Sequence, residues 1–457
     1  MDFLPNFDTP PPMSDSQYNA WDILVTARVG EHLEKEGATK ASLFDQALLG
    51  PSLMCSLRGM RIDHGKIAET KLSIDARAAE GKRKFIDLVG SDVKFGKGLK
   101  PSPAELARIL YRDFKVKTRL GKTDNPSVAK TILVEIKDDP KTPDAAMPIV
   151  ELALELTALE EDRKALDKPA GPDGRIHSSF MVSSAVSGRW GSRKDNFNEG
   201  MNLHSASDLI RTLFIPDPGK VLVAMDQAQG ESRVIAYLSG SKFYIDAHIS
   251  GNVHLEAGKI FFPEHVPHMT KEWAKDTPFP GNPGKTYYDL MKSMQHGNNY
   301  GQSPNGLAKH LGISKKDAQQ MQINYFKRLP EIPAYHQWVK NEIMTKRKLV
   351  TPLGRERQFL GRVWEHSTLR EAISYQPQST VSDLTKIFMW RVFKYLDPHD
   401  VQLLMEHHDS LLLQVDEDKV ESVLPKLEEL SYIPYRIGDY EVQAVWETKV
   451  GHSWAEV

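Results

Sequence analysis

Two aspartates end apolar runs that otherwise read as buried strands. Asp226 follows KVLVAM (220–225), and Asp409 stands between VQLLM (401–405) and LLLQV (411–415), at the tip of a predicted hairpin. An ionised carboxylate at the end of a buried strand is costly to desolvate unless a cation or a partner compensates it. Two of them, far apart in sequence, suggest a shared divalent-metal site. Phosphoryl transfer by two metals needs ions roughly 3.5–4 Å apart, one on the attacking oxygen and one on the leaving oxygen. Taken alone, either residue is equally a solvated turn aspartate, because Asp is a common turn former.

Between them, KTYYDLMKSMQHGNNYG (285–301) spaces Lys292, His296 and Tyr300 four residues apart, which puts them on one helical face. Leu290, Met291 and Met294 fall elsewhere. A cation, an imidazole and a phenol in a row can hold a triphosphate and stack a base. Read by itself, the segment also fits a plain surface helix with Lys in solvent and Tyr half in the core.

The elements that must position these residues belong to a chain of 457 residues, too long for one core, so about two to four subdomains are expected. No apolar stretch approaches the roughly 18 residues needed to span a membrane. The N-terminus, MDFLPNFDTPPPMSD, is acidic and Pro-rich, without a signal h-region or an Arg-rich transit pattern. A single cysteine, Cys55, excludes an internal disulfide and a cysteine-rich zinc site. A cytoplasmic protein is expected. Net charge is only −2, yet residues 82–122 hold 12 Lys or Arg against 4 Asp or Glu. Such a patch can neutralise phosphates without reading base sequence, and a solvated helical face would look the same.

Residues 14–37 read as a helix closed by Gly37, residues 51–66 as a strand turning at Gly59, and 148–168 as a helix. GPDGRIHSSF (171–180) reads as turn glycines and then a strand. Residues 261–284, rich in Pro and Gly, read as an irregular insertion whose His265 and His268 lack cysteine partners for zinc.

In order, these segments resemble the family A (bacterial polymerase I-like) DNA polymerases. DQAQGESR (226–233) with VIAYLSG is similar to the first palm motif, Lys292 through Gly301 to the fingers helix, and His408-Asp409-Ser410 to the His-Asp-Glu hairpin. SSAVSGRWGSRKDNFNEGMNLH (183–204), with Gly188-Arg189, resembles the primer-template segment. LREAISYQPQSTVSDL (369–384) resembles the Arg-to-Gln palm helix, FGKGLKPSPAELARIL a thumb element, and VGHSWAEV the usual ending. The resemblance implies an α+β right-hand architecture: a palm with an antiparallel sheet, and a helical thumb and fingers. It divides the chain into an exonuclease-like remnant or linker (1–50), palm entry (51–66), thumb (67–169), palm (170–240), fingers (241–345) and palm (346–457). Tyr18 and Asp22 are similar to the last motif of a 3′–5′ exonuclease, but the earlier motifs have no counterpart, so proofreading is expected to be absent.

The implied reaction is template-directed addition of a deoxynucleotide to a primer 3′-OH. Two Mg²⁺ ions, with Mn²⁺ as a substitute, would be held by Asp226, Asp409 and the main-chain carbonyl of Gln227. Lys292 would meet the triphosphate and serve as general acid, and His254, Lys285, Gln229, His296 and Tyr300 would line the nucleotide. Glu231 matches the steric gate that excludes a ribose hydroxyl. Arg189 and Gln378 match the minor-groove readers, His408 the primer-end contact, and Arg233 and Arg370 supports for palm and template. Lys97 and Lys100 would grip the duplex. Primer-template DNA and dNTPs are the implied partners of a monomer, with a separate exonuclease, helicase or primase as further candidates in a phage or plasmid replication system.

The departures are Tyr288 in place of an Arg, for which Lys285 one turn earlier could substitute, His296 in place of Phe or Tyr, and Ser410 in place of Glu. They give weight to a second reading, a catalytically impaired DNA-binding or processivity subunit. A third, a single-subunit RNA polymerase, is disfavoured by Glu231.

Overall fold

The computed structural model describes residues 39–457 except 91–92, 97, 122–124, 140, 168–169, 195–198 and 281. The helix expected over 14–37, with Tyr18 and Asp22, and the thumb residue Lys97 lie outside the described residues. The chain divides into two units, residues 1–48 and 49–457. Of the first, a helix Lys40–Ala47 is described, begun by Thr39, whose hydroxyl accepts from the Ser42 N–H at 3.1 Å.

The second unit opens with α1 (Leu49–Arg58), where a strand was expected. Its buried residues Pro51 and Ser52 lie four and three positions before buried Cys55, a helical spacing, and Pro is tolerated in a first helical turn. Gly59 ends it at φ +63°, the turn the sequence does mark. Only Met60–Arg61 is strand, paired with Arg175–Ile176. Two long helices follow and pack on each other, α2 (His64–Val89) and α3 (Met147–Leu166). Between them the basic stretch is partly neutralised from within: Arg108 pairs with Glu105 and Asp113, and Arg119 with Asp139.

The centre of the unit is β1 (Lys220–Gln227), followed directly by α4 (Gly230–Ser239). Then come α5 (Val253–Phe261), α6 (Tyr287–Asn299) and the 30-residue α7 (His366–Tyr395). The chain closes with β2 (Val401–His407), β3 (Ser410–Asp416) and β4 (Trp446–Gly451). The sheet order is β2-β3-β1-β4, antiparallel throughout. β1 and β3 are covered on both faces, which is why Val221–Val223 and Leu411–Leu413 are continuous apolar runs rather than alternating ones. α7 lies against β2 and β3, and its buried Phe388 meets Trp446 of β4 at 5.0 Å between rings.

A second core gathers α5, α6 and the helices up to Ile332 around Leu290, Met291, Met294 and Tyr325. Glycine at 258 is what lets α5 and α6 touch: a Cβ there would lie 2.4 Å from the Met291 sulfur. The insertion over 261–284 is more ordered than its composition suggested, with a 3₁₀ turn Pro263–His268, a helix Lys271–Asp276 and a short hairpin. His265 is used for packing there, its Nε2 2.9 Å from the Tyr287 hydroxyl.

Candidate active site

A cleft of about 1270 Å³ separates the end of β1 and the hairpin turn from the exposed face of α6. Asp226, the penultimate residue of β1, opens into it with Ser410 of β3 on one side and Glu447 of β4 on the other. Asp409 follows His408, whose φ of +65° makes the tight turn that joins β2 to β3. The Gln227 N–H donates to the Asp409 carbonyl at 2.9 Å, so the end of β1 fastens the turn. The Gln227 side chain is buried the other way, donating to the Val381 carbonyl and the Thr385 hydroxyl of α7 at 2.8 and 2.7 Å.

The carboxylates are only partly compensated. Desolvation, then Asp409 and Glu447, push Asp226 up to about 7, against partial relief from Lys449 and Lys292. Desolvation also raises Asp409, opposed by a main-chain hydrogen bond, Arg189 and Lys292, with Glu231 adding to the rise. A divalent cation would relieve both. Among the described residues no three His, Cys, Asp or Glu side chains gather tightly enough to enclose an ion.

Across the cleft, α6 starts with a capping box, Thr286 and Asp289 bonding to each other's main chain. Lys292 and His296 are exposed on the cleft side while Leu290, Met291 and Met294 are buried, as the spacing requires. The His296 and Tyr300 rings meet edge to face at 4.8 Å. Lys285 also lines the cleft, but from the strand Asn282–Thr286 before the cap, which corrects its expected place on the helix. His254 of α5 is buried with Nδ1 2.5 Å from Gln295 Oε1, and the Tyr288 ring stands edge-on to it at 5.7 Å.

Glu231, in the first turn of α4, is a junction. One carboxylate oxygen takes a hydrogen bond from Arg189 and the other from the Tyr300 hydroxyl. Burial and then Glu231 hold the Tyr300 phenol well above its usual range, so it remains a donor. Arg189 follows Gly188, which needs to be glycine: φ is +79°, and a Cβ would lie 2.9 Å from the Arg355 guanidinium. Gln229 lines the cleft with a left-handed φ of +53° that turns the strand into the helix. Gln378 and Arg370 line the opposite wall from α7, eight residues apart in sequence. His408 is kept neutral: desolvation, then His204, Arg189 and Arg211, lower it to about 4.

Two of the expected DNA contacts, Arg233 and Lys100, lie outside the lining of the cleft. Arg233 is half-buried, its Nε without a partner, and burial lowers its pKa among Tyr237 and Tyr435. Lys100 donates to the Thr157 hydroxyl of α3 at 3.2 Å. Sequence reasoning missed Glu447, brought opposite Asp226 only by the β4 pairing. It also missed the buried acid Glu406 and the buried group Arg355, Asp383 and Lys386.

The sheet with its carboxylates, the two helical parts and the cleft between them make up the α+β right-hand architecture of polymerases. The chain belongs to DNA polymerase family A, whose model matches residues 65–456. It is 27% identical over 414 residues to DNA polymerase I of Helicobacter pylori strain 26695, covering 87% of this chain and 42% of that protein. It is 28% identical over 458 residues to DNA polymerase I of Pseudomonas aeruginosa PAO1, covering 96% and 47%. The chain therefore spans less than half the length of these relatives. Among solved structures it is similar to the polymerase domain of Pol1 from M. smegmatis in complex with DNA primer-template and dNTP, with a TM-score of 0.71, 22% identity and coverage of 91% of this chain and 70% of that one. Among the described residues no helix is long and apolar enough to cross a membrane.

Proposed function

We propose that this chain carries out template-directed DNA synthesis, joining a deoxynucleotide to a primer 3′-OH with release of pyrophosphate. The observation that carries the reading is the partly compensated pair Asp226 and Asp409 facing Lys292 of α6 across one cleft. Two Mg²⁺ ions, or Mn²⁺ in their place, would supply activation of the 3′-OH and neutralisation of the leaving phosphates, held by Asp226, Asp409 and the Gln227 carbonyl. Lys292 binds the triphosphate and protonates the departing pyrophosphate, with His254 and Lys285 beside it. Glu231 occupies the space a 2′-hydroxyl would need and leaves it poorly solvated. Arg189 and Gln378 approach the minor-groove edge, where purine N3 and pyrimidine O2 acceptors sit alike in every correct pair, so they check shape and not sequence. His408 meets the primer end as a neutral imidazole. Residues 67–169 act as thumb, 241–345 as fingers and the sheet as palm.

The test is extension of a 5′-labelled primer on a DNA template with Mg²⁺ and either dNTPs or rNTPs, beside a lane without nucleotides. Extension with dNTPs alone and an intact primer in the empty lane is expected. Tight primer-template binding without extension would turn the reading to a DNA-binding subunit, and primer shortening would remove the expectation that proofreading is absent.

A further inference from the structure

Glu406 is fully buried, yet neither of its carboxylate oxygens makes a hydrogen bond. It is the penultimate residue of β2, directly beneath the turn that carries Asp409, and its neighbours Leu403, Leu404 and Met405 are apolar. A leucine would fill the same space, so packing does not account for an acid here. Departures of this kind from the rule that buried polar groups are bonded concentrate at functional sites.

The groups facing Glu406 come from four directions. The main-chain N–H of His408 looks at the carboxylate from the turn, outside normal hydrogen-bond geometry. His204 Nε2 lies 2.7 Å from the Glu406 main-chain oxygen and 3.8 Å from carboxylate Oε2. Lys386 of α7 and Arg189 favour its ionised form electrostatically and Asp409 opposes it, and the Cys55 thiol of α1 lies in the same field. The His204 ring in turn rests against His407 at 5.7 Å and His408 at 5.0 Å, the two residues that lead into Asp409. Position 410 adds no acid to the hairpin: the Ser410 hydroxyl donates to the His407 carbonyl at 3.1 Å.

We propose that Glu406 is a positioning residue for nucleotidyl transfer, its buried carboxyl, under the His408 N–H and beside His204, backing the His407–His408 segment so that the Asp409 carboxylate faces the cleft. The inference rests on the polymerase reading above. Desolvation pushes the Glu406 carboxyl up to about 8, which favours the protonated form that can donate as well as accept. Glutamine has the same shape and the same capacity.

The experiment compares wild type, Glu406→Leu and Glu406→Gln of the full chain in single-turnover primer extension, with urea unfolding of each. Glu406→Leu is expected to unfold at the wild-type urea midpoint or above it, since an apolar isostere suits this pocket. Its maximal rate should fall roughly 10²-fold, the cost of displacing a reacting group by about an ångström. KM for dNTP should stay within about twofold, because ground-state binding is untouched, and half-saturating Mg²⁺ should rise. Glu406→Gln should recover the rate to within about threefold. A leucine variant at wild-type rate, one merely less stable with unchanged rate per folded molecule, or a glutamine variant as slow as leucine would each overturn the proposal. A wild type that extends nothing removes the polymerase reading and this inference with it, whereas an active wild type with an active leucine variant removes this inference alone.

Discussion

Two groups of charge in this protein, one buried and one opening into the cleft, are built on opposite terms. Beneath the Gly188 loop, Asp383 of α7 takes hydrogen bonds from Arg355 at 2.9–3.1 Å and pairs with Lys386 at 2.7 Å, while Lys386 also donates to the Gly188 carbonyl at 3.0 Å. One anion meets two cations, and every contact holds a loop or a helix in place. At the end of β1 the balance is reversed: Asp409 and Glu447 raise Asp226, Glu231 raises Asp409, and Lys449, Lys292 and Arg189 relieve them only in part. Charge that is closed on itself serves the scaffold. Charge left open in a cleft marks the place where something else must complete it.

Breaking either group should therefore fail in a different way. Asp409→Ala should abolish primer extension, with a loss on the order of 10⁴-fold or about 5.5 kcal/mol of barrier, while urea unfolding changes little. Asp383→Ala should leave Arg355 and Lys386 buried without their anion and cost about 3–5 kcal/mol of folding stability, read as a lower urea midpoint. Equal destabilisation by the two variants would erase the distinction. A smaller effect is expected at the junction of Arg189, Glu231 and Tyr300. Glu231→Ala removes the group that occupies the sugar edge, and rNTP use relative to dNTP should rise about 10- to 100-fold, since steric rejection of one hydroxyl is worth about that much. Unchanged ratios would take Glu231 out of sugar selection.

The open group was readable in the sequence and the closed one was not, for a physical reason. An aspartate ending a buried run conflicts with its surroundings locally, so Asp226 and Asp409 announce themselves within a few residues. The same holds for Lys292, His296 and Tyr300, whose shared face depends only on helical spacing. Glu447 became part of the site through pairing with a strand more than 200 residues earlier, which no local pattern encodes. Glu406 on β2 and Asp383 on α7 look like ordinary surface acids until the fold buries them. The strand expected at 51–58 failed because a short apolar run is the same for a buried strand and a buried helix.

The finest test of the contrast is the stability of Asp226→Asn without divalent cations. A carboxyl near 4 in the unfolded chain and raised to about 7 in the folded one binds more protons when folded, so its contribution to stability falls as pH rises between those values. Asparagine removes that loss. At pH 7.5 the variant should be more stable than wild type by on the order of 1 kcal/mol, a figure kept small because Asp226 opens into a solvated cleft, and the gap should close as pH approaches 4. Adding Mg²⁺ should stabilise wild type and not the variant, because only an intact site binds the ion in the folded state. Asp383→Asn, taken through the same titration, should be less stable than wild type at pH 7.5 with or without Mg²⁺, since its carboxylate is already matched by Arg355 and Lys386. If both substitutions shifted stability in the same direction, the open and closed groups would be one kind of structure, and the assignment of Asp226 to catalysis would lose its physical basis.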